Sequence, residues 1–271
     1  MNTNPELFNL ENEFGKPKQV NLTKQKAIAL GSFDGVHKGH ATLIANLKKY
    51  TDLEKHVICV EKPFSKVFLF TRAEISKKIR DLVPGAEISF LKLNKEIVNK
   101  TYLEFNKFLK QIKTDTTIVG TNFCYGKGRK GSVDTLKKDF KVDVQQLVCE
   151  KKQVISSTLV KNLQKIGRFN LVKRLLENPV CYKLKHKNAH FELGENKVLP
   201  LSGRYLCQDN LSQIFKVNLR DSQLVLLNPK VKLGKEIYFL KKLKWPTFYL
   251  VKVLNFVIMF VSWRYLYGCS I

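Results

Sequence analysis

The sequence predicts an α/β protein, an open and mostly parallel sheet followed by a small antiparallel β-barrel. Three observations carry that reading. Over about residues 26–150 short apolar strands alternate with helical stretches, the order of a sheet covered on both faces. Beyond Pro179 the pattern changes to short runs separated by Gly and Asn turns, the signature of a small all-β module. With 271 residues and 44% hydrophobic content, the chain can bury one large core and a smaller one.

Taken in order, "KAIALGSF" reads as the first strand, and "GHATLIANLKKY" as a helix with Leu43, Ile44 and Leu47 on one face. "HVICVEKPF" is the next strand, "TRAEISKKIRDLV" a helix, "AEISFLKLN" a strand and "TYLEFNKFLKQI" a helix. "DTTIVGTNF", "SVDTLKKDF" and "KVDVQQLVC" continue as strand, helix and strand. "SSTLVKNLQKIGRFNLVKRLLENPV" reads as two short helices broken near Gly167. The runs "YKLKH", "GENKVLPLSGRYLCQ", "QIFKVNL", "SQLVLLNP" and "KEIYFLKKL" supply the barrel. The expected domains are therefore 1–179, 180–244 and an apolar tail, 245–271.

Lys plus Arg number 48 against 23 Asp plus Glu, a formal charge of +25, which draws polyanions to the surface without choosing among them. The lysines are spread over the whole length rather than gathered in a stripe, so no nucleic-acid partner is expected. Six scattered cysteines form no CxxC pair and no metal-spaced cluster, which fits reduced thiols in a cytoplasmic protein. The first residues lack the charged-then-apolar order of a signal peptide. In the tail, Lys252 interrupts the apolar run, and three readings stay open: a helix packed on the protein, a peripheral membrane contact, or a span. The oligomeric state is not legible.

Chemistry concentrates in "GSFDGVHKGH", residues 31–40, directly after a strand. Gly31 ends the strand, Gly35 permits a turn, and Gly39 opens a helix whose free N–H groups and positive dipole end bind phosphate. His37 and His40 stand at the same end, where an imidazole can donate to phosphate oxygens as charge builds. Two surface histidines near a helix cap would give the same short pattern.

The ten residues as a whole resemble the signature of the FAD synthetase (FMN adenylyltransferase) module of bacterial bifunctional riboflavin kinase/FAD synthetases, in the HxGH nucleotidyltransferase superfamily, with Ser32 where Asn is usual. That resemblance implies a Rossmann-like sheet, His37 and His40 as catalytic residues, and Gly31, Ser32, Phe33, Asp34 and Gly39 at the ATP. Two further stretches follow in the family's order. "VGTNFCYGKGRKG", residues 119–131, reads alone as a flexible basic loop whose glycines let backbone approach a ligand. By resemblance Asn122, Phe123, Gly126, Lys127 and Arg129 bind FMN, and Asn122 also helps hold the metal. "ISSTLVK", residues 155–161, supplies plain N-cap hydroxyls and is similar to the family's ISSTxIR, implying that Ser156, Ser157, Thr158 and Lys161 grip the triphosphate. Here Leu159 and Lys161 replace the family's two arginines, and Lys loses the planar fork. An aromatic-acid-Pro-His-Pro element is reduced to "VEKPF", keeping Glu61 and Pro63.

The implied reaction is attack by the FMN phosphate on the α-phosphorus of ATP, with Mg²⁺ as the nucleotide's companion, giving FAD and pyrophosphate. In the second domain "VLPLSGRYLC" and "LGKEIYFLKKLK" look like strands of the family's riboflavin kinase barrel. That barrel's ATP-binding Gly-Phe-Pro-Thr-Ala-Asn segment has no counterpart between Val180 and Leu199, and Ser222, beside Asp221, stands where the catalytic Glu would fall. Kinase activity is therefore expected to be absent. The competing readings are a bifunctional enzyme, another HxGH nucleotidyltransferase, and a non-catalytic basic protein binding RNA or a membrane surface.

Overall fold

A computed structural model of the chain describes residues 8, 10–62, 67–187, 190–194, 196–228 and 231–244. The tail from 245 onward, with the three readings of it, lies outside the described residues, as does Pro63. Two compact units divide between Val180 and Cys181, and residues 196–199 go with the first.

The first unit is built on a six-stranded sheet. Its strands are β1 (Leu10–Glu11), β2 (Lys26–Gly31), β3 (Glu54–Glu61), β4 (Glu87–Lys92), β5 (Thr114–Gly120) and, after two short strands given below, β8 (Lys141–Gln145). Their order is β1-β4-β3-β2-β5-β8, parallel throughout except for β1 at the edge. β2 lies centrally, so Ala27, Ile28, Ala29 and Leu30 are buried on both faces, and the strand reads as an unbroken apolar run.

Helices α1 (Lys38–Ala45), α2 (Arg72–Leu82), α3 (Lys95–Asn99), α4 (Tyr102–Gln111) and α5 (Val133–Lys137) cross between the strands. Leu43, Ile44 and Leu47 are buried, as their spacing predicts. Phe105, Phe108 and Leu109 of α4 join Ile28, Leu30, Ile58 and Val119 in the core on one face. The entries to α2 and α4 are fixed by capping boxes, Thr71 with Glu74 and Thr101 with Glu104. Each such cap contributes about 1 kcal/mol.

Between β5 and α5 runs a hairpin of β6 (Cys124–Tyr125) and β7 (Gly131–Ser132). A second hairpin, β9 (Cys149–Glu150) with β10 (Gln153–Val154), precedes α6 (Ser157–Lys165) and α7 (Phe169–Leu176). The break between α6 and α7 falls at Gly167, at φ 80°.

The second unit is a closed antiparallel barrel. Strands β11 (Cys181–Lys187), β12 (His190–Leu193), β13 (Gly203–Asp209), β14 (Ile214–Arg220), β15 (Gln223–Leu226) and β16 (Glu236–Lys242) pair in the order β11-β12-β15-β14-β13-β16 and back to β11. Closure leaves no open edge. Strict alternation along β13 and β14 turns Tyr205, Cys207, Phe215, Val217 and Leu219 inward. Tyr182, Tyr205 and Phe239 fill the interior, the Phe239 ring meeting the two tyrosines edge-on at 5.4 and 5.1 Å. Among the described residues no helix is long and apolar enough to cross a membrane.

Candidate active site

The strand-to-helix turn after β2 is held tightly by its own sequence. Phe33 is buried with its ring over Gly31, where a Cβ would lie 2.9 Å from the ring. Gly35 takes φ 82° against Leu69 and Leu176, where a Cβ would meet Leu69 at 2.9 Å. Val36 follows at φ 43°, a costly conformation for a β-branched residue, of the kind folds keep at functional turns. Lys78 fastens the turn from α2, its ammonium donating to the carbonyls of Val36 and Leu176.

His37 is the N-cap of α1, and its Nδ1 accepts from the His40 backbone N–H at 3.4 Å. Gly39 is therefore the second helical residue rather than the residue that opens the helix. The two imidazoles stack, centroids 3.7 Å apart and planes 19° from parallel, and the edge of Phe33 meets His40 at 5.3 Å. His37 is buried, whereas His40 is half-buried. Among the described residues Nδ1 of His40 is buried without a hydrogen-bond partner. Such an atom is uncommon in a native fold and marks a place where a ligand would complete the hydrogen bonding.

Burial is the main cause that lowers both histidines, His37 to about 4 and His40 well below its ordinary value. For His37 its own backbone hydrogen bond and Asp34 push the other way, and for His40 the neighbouring His37 adds to the lowering. Both rings are thus neutral near pH 7, each carrying one N–H to donate. A bound polyphosphate would favour their charged forms.

Of Ser156, Ser157 and Thr158, only Ser157 meets the 31–37 turn directly. Ser156 is the N-cap of α6, its Oγ accepting from Leu159 N–H at 3.2 Å. Ser157 donates from Oγ to the Asp34 carbonyl at 3.1 Å, while Thr158 is exposed. Lys161, expected to face phosphate, pairs with the Asp34 carboxylate at 2.7 Å and donates to the Val67 carbonyl at 2.8 Å. Asp34 also accepts from Leu69 N–H at 2.8 Å. Ser32 is half-buried. The β9/β10 hairpin was not foreseen in the sequence, yet Val148 at its base lies beside Gly39.

The second glycine stretch sits in the β6/β7 hairpin, beginning directly after β6. Its glycines answer first to the protein's own packing. A Cβ at Gly126, which has φ 70°, would lie 2.6 Å from Tyr102 N, and one at Gly131 would lie 2.8 Å from the Tyr102 and Tyr125 side chains. Lys127 N–H donates to Lys100 O at 2.7 Å, fastening the loop to the start of α4. A Cβ at Gly128 (φ 63°) would touch only the Lys130 side chain, at 4.0 Å, and Lys127, Arg129 and Lys130 are exposed. Phe123 stacks on Tyr125 at 5.4 Å, and Asn122 is exposed.

Among the described residues no group of three or more His, Cys, Asp or Glu is placed to hold a metal ion. The exposed amide of Asn122 is a hard oxygen donor of the kind magnesium accepts, and that ion commonly takes few ligands from protein.

A family model described as FAD synthetase matches residues 19–159. A bifunctional riboflavin kinase/FMN adenylyltransferase of Buchnera aphidicola subsp. Schizaphis graminum is 28% identical over 212 residues, 67% of each chain. An FAD synthetase of Listeria monocytogenes is 26% identical over 204 residues, covering 68% of this chain and 81% of that one. Among solved structures, a Streptococcus pneumoniae chain described as a macrolide-efflux protein superposes with a TM-score of 0.68 at 20% identity. It covers 90% of this chain and 95% of that one, and it speaks for the fold alone.

Proposed function

Because the chain belongs to the FAD synthetase family, we propose that the His37/His40 pair at the start of α1 is the centre at which it transfers AMP from ATP to FMN. The chain is an ATP-dependent FMN adenylyltransferase, and its barrel fits a riboflavin kinase-like domain. The observation that carries the residue-level reading is the unpartnered Nδ1 of His40, buried at a helix N-terminus inside the matched segment.

In the reaction an oxygen of the FMN phosphate attacks the α-phosphorus of ATP, the bond from that phosphorus to the bridging oxygen breaks, and pyrophosphate leaves. No covalent enzyme intermediate is needed, so the work is alignment and charge stabilisation. The free N–H groups at the start of α1 and the two imidazoles would receive the phosphates, with Phe33 holding His40 edge-on. Ser156, Ser157 and Thr158 line the turn proposed for the leaving pyrophosphate, and Gly31, Ser32 and Gly39 the approach of the nucleotide. The FMN side would be Asn122, Phe123, Gly126, Lys127 and Arg129, with the charge of Lys127 and Arg129 meeting the FMN phosphate. Asn122 would hold the magnesium ion, which when bound neutralises phosphate charge. A cytoplasmic setting supplies both substrates.

Incubation with ATP, Mg²⁺ and FMN, with product masses read by mass spectrometry, tests this function. FAD and pyrophosphate are expected in equal amounts. Adenylation of a different acceptor, with FMN left unchanged, would overturn the flavin assignment.

A further inference from the structure

Asp34 lies three residues before His37, where an unpaired carboxylate would repel an incoming triphosphate. Its carboxylate is not left open. One oxygen accepts from Leu69 N–H at 2.8 Å, and the other meets the Lys161 ammonium at 2.7 Å. Its backbone carbonyl takes the Ser157 hydroxyl at 3.1 Å, and Lys161 reaches on to the Val67 carbonyl at 2.8 Å. The two side chains are only 17% and 21% exposed, so water screens the pair less than it would a surface ion pair. One residue thus ties together three segments distant in sequence: the histidine turn, the 67–69 stretch and the start of α6.

We infer that Asp34 and Lys161 form a positioning pair: Lys161 acts on catalysis through Asp34, fixing the histidine turn and cancelling its carboxylate, rather than by holding phosphate itself. The inference rests on the reading of His37 and His40 as the adenylyl-transfer centre. It follows from where the ammonium goes. A lysine kept for phosphate would present its charge to the space before α1, whereas here the ammonium is committed to the Asp34 carboxylate and the Val67 carbonyl. Lys suits this task, since a single carboxylate oxygen and a carbonyl need a compact donor and not a planar fork.

The test is a double-mutant cycle of Asp34→Asn and Lys161→Met, with Lys161→Arg as the conservative variant. Asp34→Asn keeps an oxygen for the Leu69 N–H, and Lys161 is a half-buried side chain outside the buried core, so folded variants are expected. For a positioning pair each single change lowers kcat for FAD formation about tenfold, because misplacing reacting groups is costly even when binding is kept. KM for ATP stays within about twofold, and the double variant is no worse than the weaker single one. Lys161→Arg, which can still pair with Asp34, regains most of kcat. A rise in KM for ATP in Lys161→Met alone, with Asp34→Asn unaffected and the two effects additive, would overturn the inference in favour of a direct phosphate contact. Thermal unfolding of the same four proteins gives a readout independent of turnover, with non-additive shifts expected and additive shifts counting against the pair. A wild-type protein that makes no FAD would instead defeat the functional reading, while the unfolding cycle would still decide whether the pair couples.

Discussion

At the level of single residues, the stacked imidazoles carry the sharpest consequences. His40→Ala removes one preorganised donor and should cost about 3 kcal/mol of transition-state stabilisation, or roughly a hundredfold in kcat. The fold should survive, since the ring is only half-buried and its Nδ1 makes no internal hydrogen bond. Circular dichroism beside steady-state FAD formation checks both halves. His56 poses a different question, one of stability, because its ring is enclosed. It is fully buried on β3, its Nε2 sits 2.9 Å from Ser89 Oγ, and burial lowers it from 6.5 to about 3, helped by Lys18 and Lys26. In the unfolded chain the same ring takes up a proton near pH 6.5, so the unfolded state binds more protons across this window and is favoured as the pH falls. The stability contributed by the neutral ring is present above pH 6.5 and is lost progressively on acidification toward about 3. His37 adds the same sign down to about 4. Urea midpoints measured at pH 7 and pH 5 should fall markedly for the wild type and less for His56→Gln. An equal fall in both would mean that the acid sensitivity lies elsewhere.

Elements were legible in the sequence wherever a run was long enough to show a period, and obscure where it was not. The strands β2, β3 and β4 announce themselves by apolar centres, and α2 and α4 as amphipathic stretches preceded by threonine caps. β1, β6, β7, β9 and β10 are each two residues long and have no period to read, and the five-residue α3 offers a single buried apolar residue, Ile97. Residues 196–199 fall in a stretch expected to serve the barrel, yet Phe68 pairs with Lys197 in a lone bridge, and the Lys197 ammonium meets Glu74 of α2 at 2.8 Å. No local pattern encodes a contact between residues 129 positions apart. The histidine motif was legible because its chemistry is local, whereas the commitment of Lys161 to Asp34 depends on a tertiary approach. The 126–131 glycines show both cases at once: the need for glycine was readable, but its cause at Gly126 is the backbone of Tyr102. Gly126→Ala should therefore act on the hairpin before it acts on any ligand. With a positive φ and a 2.6 Å clash against backbone, we expect a stability loss of about 1 to 3 kcal/mol. If the hairpin carries the flavin, the same variant raises KM for FMN and leaves KM for ATP unchanged. A parallel rise in both would place the hairpin's influence at the nucleotide instead.

For the whole molecule, the question is whether two units mean two activities. The +25 charge gives no help, since it favours encounter with ATP, FMN and any other polyanion alike. The barrel itself is more informative. A riboflavin-phosphorylating centre needs a carboxylate free to accept the hydroxyl proton and a seat for the magnesium nucleotide. Asp209 is buried with its carboxylate already taken, Oδ1 accepting from Leu211 and Gln213 N–H and Oδ2 from Gly234 N–H, each at 2.9 to 3.0 Å. Asp221, beside the serine at the expected base position, is exposed in the β14–β15 turn at φ 54° and so sits at solvent dielectric. The interior between the strands is filled by Tyr182, Tyr205 and Phe239. Of these two acids, Asp209 is taken by turn amides and Asp221 stands in solvent, so neither is poised as a buried base. Riboflavin supplied with ATP and Mg²⁺ should thus yield neither FMN nor FAD, whereas FMN under identical conditions yields FAD. Chromatographic separation of the three flavins over a time course distinguishes the cases. FMN appearing from riboflavin at a rate comparable to FAD formation would require a base and a nucleotide seat that the barrel assembles from residues other than these.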